Sequence, residues 1–204
     1  MPANNVLKED IIQQQILQAA QQLFQKHGYQ KVTMDDVAKA IGKGRSSLYY
    51  YYKNKEEVFD AVMDAEVDDI FVEINRMMDK ATNVAGKLHA FALTKTKVAR
   101  KKQQFFDVLE MGMNWDEISQ YAQVKKTTQQ KVRKTEQALL KQVLQQGIAQ
   151  KEIRPQDAKA LDMILFVFTS GLRGLKREMS LDNSYTRMEP AIDLLVQMTM
   201  MALQ

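Results

Sequence analysis

Between Thr33 and Lys55 the chain reads TMDDVAKAIGKGRSSLYYYYKNK, and its spacing divides into two helices of about two turns each around Gly42-Lys43-Gly44. Thr33 is placed as an N-cap with Asp36 three residues on, a capping box that uses Asp. Val37, Ala38 and Ile41 then share an inward face, and after Gly44 so do Leu48 and Tyr52 at i, i+4. Helices this short bury too little to stand alone, so a third must pack behind them. Ile12, Ile16, Ala19, Ala20, Leu23 and Phe24 supply it, with a Gln-rich opposite face and Gly28 as the stop. Two short helices about a tight turn, the second opening on Arg-Ser-Ser, form the layout of a helix-turn-helix. In that layout the second helix enters the DNA major groove.

Charge placement points the same way. Residues 1–55 hold eight Lys and Arg against four acids, and the remaining residues hold 21 of each sign, so the whole excess of +4 lies in the first quarter. An uneven basic balance favours a polyanionic partner for that quarter alone.

The rest of the chain reads as helix. Only 3 prolines and 8 glycines interrupt 204 residues, and no strand period, internal repeat or low-complexity linker is seen. Asn54 with Glu57 marks an N-cap for a long helix through Val58, Val62, Ile70 and Ile74, acidic on its outer side at Asp60, Asp64, Asp68 and Asp69. Further helices are expected at 84–102, 104–112, 122–146 (with Gly147 as a C-terminal stop), 156–179 after Pro155, and 188–203. The predicted fold class is all-α: a three-helix helix-turn-helix domain over 1–53, and a second helical domain over 54–204. The absence of cysteine excludes disulfides and thiolate metal sites and fits a reducing compartment. The N-terminus lacks the basic-then-apolar build of a signal peptide, and the most apolar stretch, Met163–Thr169, is far too short to span a bilayer. A soluble, cytoplasmic protein with no membrane association is expected.

Ile16–Val62 resembles the N-terminal domain of TetR-family transcriptional regulators. The resemblance is carried by LFQKHGY, VTMDDVAKAIG and SSLYYYYKNKEEVF, in the family's order and without a gap. Two positions depart from the pattern: Lys43 stands where an apolar turn residue is usual, and Tyr52 where a Phe is usual. The resemblance implies a homodimer whose two recognition helices enter successive major grooves of a near-palindromic operator. It places Arg45, Ser46, Tyr49 and Tyr50 toward base edges, and Thr33, Ser47, Tyr51 and Lys55 at backbone-contact positions. Arg can pair bidentately with guanine, and Tyr can combine a hydrogen bond with contact to a thymine methyl. Lys43 and Lys53 are expected to add general electrostatic attraction. Successive helical residues rotate by roughly 100°, so four consecutive tyrosines cannot all face DNA, and Tyr52 is assigned to the core.

The resemblance also implies a small-molecule effector site in the second domain. Its large soft side chains are Met78, Phe91, Phe105, Phe106, Met111, Trp115, Tyr121 and Phe166. These residue types suit a pocket between bundle helices, and equally the core of any helical domain. The last two helices have the composition of a dimer interface. Asp162–Leu175 (DMILFVFTSGLRGL) is apolar nearly all round, and Phe168, Gly171, Leu172, Leu175, Ile192, Leu195, Met198 and Thr199 are the expected contacts. The alternative is that one of these helices is the core of the monomer. The basic run Lys95–Lys102 (KTKVARKK) reads as a solvated helix face, able to neutralise the acidic long helix.

Catalysis finds no support. His27 and His89 are isolated, and there is no glycine-rich phosphate loop, no metal-ligand spacing and no nucleophile–base–acid order. No cofactor and no metal are expected. An apolar-ligand carrier that keeps the fold without reading DNA would have no need of Arg45, Tyr50 and Lys55 together.

Overall fold

The computed structural model describes the backbone of residues 3–110, 113–182 and 184–204, with side chains apart from those of 3–8, 104, 110 and 182. Among the described residues there are eight α-helices and no strand: α1 Ala3–Lys31, α2 Met34–Ala40, α3 Arg45–Tyr51, α4 Lys55–Met78, α5 Val84–Glu110, α6 Trp115–Ala149, α7 Ala158–Asp182 and α8 Met188–Leu203, the last entered by a 3₁₀ turn at Tyr185–Arg187. No helix among them is long and apolar enough to cross a membrane.

Two compact units are formed, Met1–Asp69 with Lys101–Gln129, and Ile70–Arg100 with Gln130–Gln204. The core of the first gathers Ile16, Ala20 and Phe24 of α1, Val37 and Ala38 of α2, Leu48 of α3, Val58, Phe59 and Val62 of α4, Leu109 of α5 and Tyr121 of α6. This is the third-helix support the two short helices require. The expected stop at Gly28 is a break inside α1 rather than its end: φ 77, ψ 166 turn the chain there, and a further short helical segment reaches Lys31.

In the second unit Phe91 of α5 and Phe168 of α7 are fully buried, their ring centroids 6.4 Å apart. The start of α5 is satisfied from two sides. Gly86 N–H donates to Asn83 Oδ1 at 2.8 Å, and Val84 N–H to the Glu152 carboxylate at 2.7 Å. Gly147, expected as a helix stop, lies inside α6, where a Cβ would collide with the Val84 side chain. Its glycine is required by close approach, and the positive φ after the helix falls to Lys151 (φ 62) instead.

Two further boundaries differ from expectation. Helices expected at 84–102 and 104–112 are the single helix α5, because no glycine or proline from Lys87 to Glu110 breaks it. Helix α6 begins at Trp115, seven residues before the expected start. Asn114 and Glu117 form the cap, each accepting the other's N–H at 3.0 Å. Helix α8 occupies the predicted span, and Pro155 lies just before α7.

Candidate nucleic-acid interface

The predicted capping box forms at the head of α2. Asp36 N–H donates to Thr33 Oγ1 at 3.2 Å, and Thr33 N–H returns to Asp36 Oδ2 at 2.9 Å. The Thr33 hydroxyl also donates to Asp36 Oδ2 at 2.6 Å. This bond is the first cause holding the Asp36 carboxyl below the usual aspartate range. Thr33 is thus engaged with a carboxylate in the free chain, an occupation that competes with a phosphate contact. The turn after α2 is a Schellman closure. Gly42 N–H donates to Lys39 O and Lys43 N–H to Ala38 O, both at 3.0 Å, with Gly42 at φ 66. A side chain at Gly42 would be strained by that φ alone. Lys43 stands exposed on the outside of this turn.

Helix α3 has one fully buried residue, Leu48. That single anchor sorts the rest of the helix. Arg45, Ser46, Tyr49 and Tyr50 are exposed, Ser47, Tyr51 and Tyr52 half-buried. Tyr50, at 73 % exposure, projects furthest of the four tyrosines. Tyr51 packs edge-on to it with centroids 5.0 Å apart and leans on the core of the unit. Tyr52 joins that core edge as expected, and burial pushes its phenol up. Arg45 is pre-aligned by two neighbours. An Asp35 oxygen is 3.2 Å from Nε, and Nη2 donates to the Tyr49 hydroxyl at 3.2 Å. The Tyr49 bond, then the Asp35 charge, hold the guanidinium above its ordinary value. Tyr50 reaches Glu9 of α1 at 3.5 Å.

Lys55 has a different setting from the one expected. Its Nζ donates to Tyr29 O at 3.2 Å and Gln30 O at 3.5 Å, and lies 4.1 Å from the Tyr29 ring centroid. Together with the Tyr29 hydroxyl, which donates to Glu56 Oε1 at 3.2 Å, these bonds clamp the end of α1 to the start of α4. The helix-turn-helix segment, residues 33–52, is the chain between the two jaws. Tyr29 and Glu56 were not singled out from the sequence; an aromatic directly after the Gly28 break was the available signal.

Residues 16–62 match the N-terminal domain of the bacterial regulatory proteins of the tetR family. Over 153 residues the chain is 28 % identical to the HTH-type transcriptional regulator YhgD of Bacillus subtilis, covering 74 % of this chain and 76 % of that protein. It is 24 % identical over 142 residues to the HTH-type transcriptional repressor KstR2 of Mycolicibacterium smegmatis, covering 69 % and 67 %. The chain carries the N-terminal domain of the TetR family. A transcriptional regulator from Cytophaga hutchinsonii has the same fold, with a TM-score of 0.63 at 21 % identity over 93 % of this chain and 96 % of that one. The protein is therefore a helix-turn-helix transcriptional regulator and not an enzyme.

The residues expected to line an effector pocket are divided between the two units. Met78 and Phe91 are buried in the second unit, and Phe105 and Tyr121 in the first, with Phe106 half-buried at the edge of the first core. Phe166 is 62 % and Trp115 87 % exposed. Met111 lies outside the described residues. Of the eight, Tyr121 lines the cavity in the first unit, a space of about 210 Å³ whose wall includes Tyr29, Phe59, Tyr121, Glu56, Asp60 and Glu117.

The expected dimer contacts divide by helix face. Phe168, Leu172, Ile192 and Thr199 are buried in the chain itself. Gly171 and Leu195 meet each other, a Cβ on Gly171 coming 3.0 Å from Leu195 Cδ1. Leu175 is half-buried, and Met198 is exposed. The apolar side chains that face outward are instead Met163, Phe166 and Val167 of α7 with Leu194, Met198 and Met201 of α8. A helix that is apolar all round gives no sign in sequence of which side its own subunit uses.

Proposed function

We propose that this regulator is a repressor that binds a near-palindromic operator as a homodimer and is released by a small effector with a largely apolar body. The reading part is 1–53 and the responding part 54–204, and the setting is the cytoplasm, where the chromosome is accessible. The observation that carries the reading is the outward face of α3. Leu48 fixes the inner side, and Arg45, Ser46 and Tyr50 are left exposed as hydrogen-bonding groups of the type that reads base edges. Arg45, held by Asp35 and Tyr49, is ordered before DNA arrives, which lowers the entropy lost on contact. Lys43 and Lys53 lie exposed beside it as phosphate attractants.

Dimerisation is supported by the neighbouring helices α7 and α8. Met163, Phe166 and Val167 recur at i, i+3, i+4, and Leu194, Met198 and Met201 at i, i+4, i+7, all exposed. Apolar faces at helical spacing suit a two-fold interface in which each helix meets its counterpart. The two recognition helices of such a dimer would meet half-sites about 34–36 Å apart, one DNA turn.

A gel shift against DNA from around the coding locus, repeated at rising salt, tests this. Two chains per site and a steep fall of affinity with salt are expected. Arg45→Ala should reduce discrimination between operator and random DNA by about 1–3 kcal/mol, roughly ten- to a hundredfold. Binding that ignores salt, or an Arg45→Ala variant that discriminates as the parent does, would sink the reading.

A further inference from the structure

The cavity in the first unit has a wall of unusual chemistry. Three aromatic rings line it, with Tyr29–Phe59 centroids 4.9 Å and Phe59–Tyr121 centroids 5.9 Å apart. Three carboxylates, Glu56, Asp60 and Glu117, share the wall, and no residue lining it is basic. Glu56 accepts from the Tyr29 hydroxyl, and Glu117 is spent on the cap of α6. Asp60 has no hydrogen-bond or ion-pair partner among the described residues, and burial, followed by the charges of Asp64, Glu56 and Glu57, raises its carboxyl above the usual range. Burial, followed by the charge and hydrogen bond of Glu56 and the charges of Glu117 and Asp60, pushes the Tyr29 phenol up.

An anion would meet repulsion in this space. A neutral ligand would remove water from carboxylates without replacing it. A cation with an apolar body offsets the charge and lies against the ring faces. The rings already attract positive charge on the protein's own account, with Lys55 Nζ 4.1 Å from the Tyr29 centroid and Lys125 Nζ 5.5 Å from that of Tyr121.

We propose that this cavity is a binding site for a small monovalent organic cation with an apolar body, of about the size of a benzylammonium. The inference deepens the effector-release reading above and rests on it only for its consequence. Tyr29 and Glu56 are both wall and clamp: the ring and carbonyl of Tyr29 hold Lys55, and its hydroxyl holds Glu56. A cation seated among them competes with Lys55 for the Tyr29 ring and with Tyr29 for Glu56. The clamp at the two ends of the helix-turn-helix segment is thereby loosened. Operator and cation must then oppose each other reciprocally, each weakening the other by the same factor.

The test is titration of the DNA-free full chain with benzyltrimethylammonium, followed by calorimetry and by fluorescence of Trp115. Trp115 is the chain's only tryptophan and the first residue of α6. Benzyl alcohol and phenylacetate serve as neutral and anionic counterparts. The cation should bind at least tenfold more tightly than either, and Asp60→Asn, which removes one charge from the wall, should weaken it about tenfold. Glu56→Gln, which keeps an acceptor for Tyr29, should weaken it as well and covers the case in which Asp60→Asn does not fold. Equal binding of benzyl alcohol, or cation binding unchanged in the folded variants, overturns the site. Cation affinity unchanged by saturating operator overturns the coupling. A chain that binds the cation and no operator would support the site while refuting the repressor reading.

Discussion

Glu66 and Glu136 are the two charged residues buried among the described residues, one in each compact unit. Each is paired with a lysine of α5, Lys102 and Lys95, seven residues apart and therefore on one face of that helix. The surroundings differ. Glu66 also accepts from Gln21 of α1, and Lys102 donates in addition to the Glu66 carbonyl at 3.4 Å, so three helices share one carboxylate. Among the described residues Glu136 is ion-paired with Lys95 alone, and Arg173 and Lys176 add positive potential at that lysine. The first is a three-member network centred on one carboxylate; the second is a bare pair. A bare buried pair gains little over apolar packing, whereas a network sets geometry that packing alone does not.

The largest effect should come from splitting the bare pair. Glu136→Ala leaves the Lys95 ammonium buried with no counter-charge and should cost roughly 3–5 kcal/mol of unfolding free energy, read from urea or thermal melts. The comparison is sharpened by replacing whole pairs. Lys95→Met with Glu136→Leu removes both charges from a site of two members, and stability near or above that of the parent is expected. Lys102→Met with Glu66→Leu strands the Gln21 amide and should cost about 1–3 kcal/mol. Two double variants of equal stability would mean that the Gln21 link contributes nothing, and the distinction between network and pair would fall.

The first unit was legible where local chemistry decides structure. The Thr33–Asp36 box, the Asn54 cap, whose Oδ1 accepts from Glu57 N–H at 2.8 Å, and the apolar faces through Phe24, Val37 and Leu48 all stand where their spacing puts them. The second unit was legible as helix but not as faces. Phe168, Ile192 and Met198 are alike in sequence, and only packing assigns the first two to the interior and the third to the surface. The basic run 95–102 shows the same limit. Lys97, Arg100 and Lys101 are exposed, as a solvated face would be, while the residues at its two ends turn inward to carboxylates. Glu66 and Glu136 carried no sign of burial, because a helix charge declares its partner only when a second helix is set against it. The residues of α3 proposed to read DNA lay within a motif; the cavity wall joins residues 29, 56 and 121, which no window of sequence brings together.

The smallest expected effect separates the pairs by pH. Burial, outweighing the attraction of Glu136, holds the Lys95 ammonium below its ordinary value, with Arg173 and Lys176 adding to the same direction. In the unfolded chain Lys95 titrates at the ordinary lysine value near 10.4. Between its folded pKa and that value the unfolded state binds the extra proton, so stability contributed by this residue rises with pH across the window. Lys95→Met removes the titration. Parent and variant should therefore diverge as pH is raised toward 10, the parent gaining relative to the variant, in melts run at matched ionic strength. Parallel stability curves over that range would mean that Lys95 is solvated as freely folded as unfolded, and the pair at Glu136 would then be no barer than the network at Glu66.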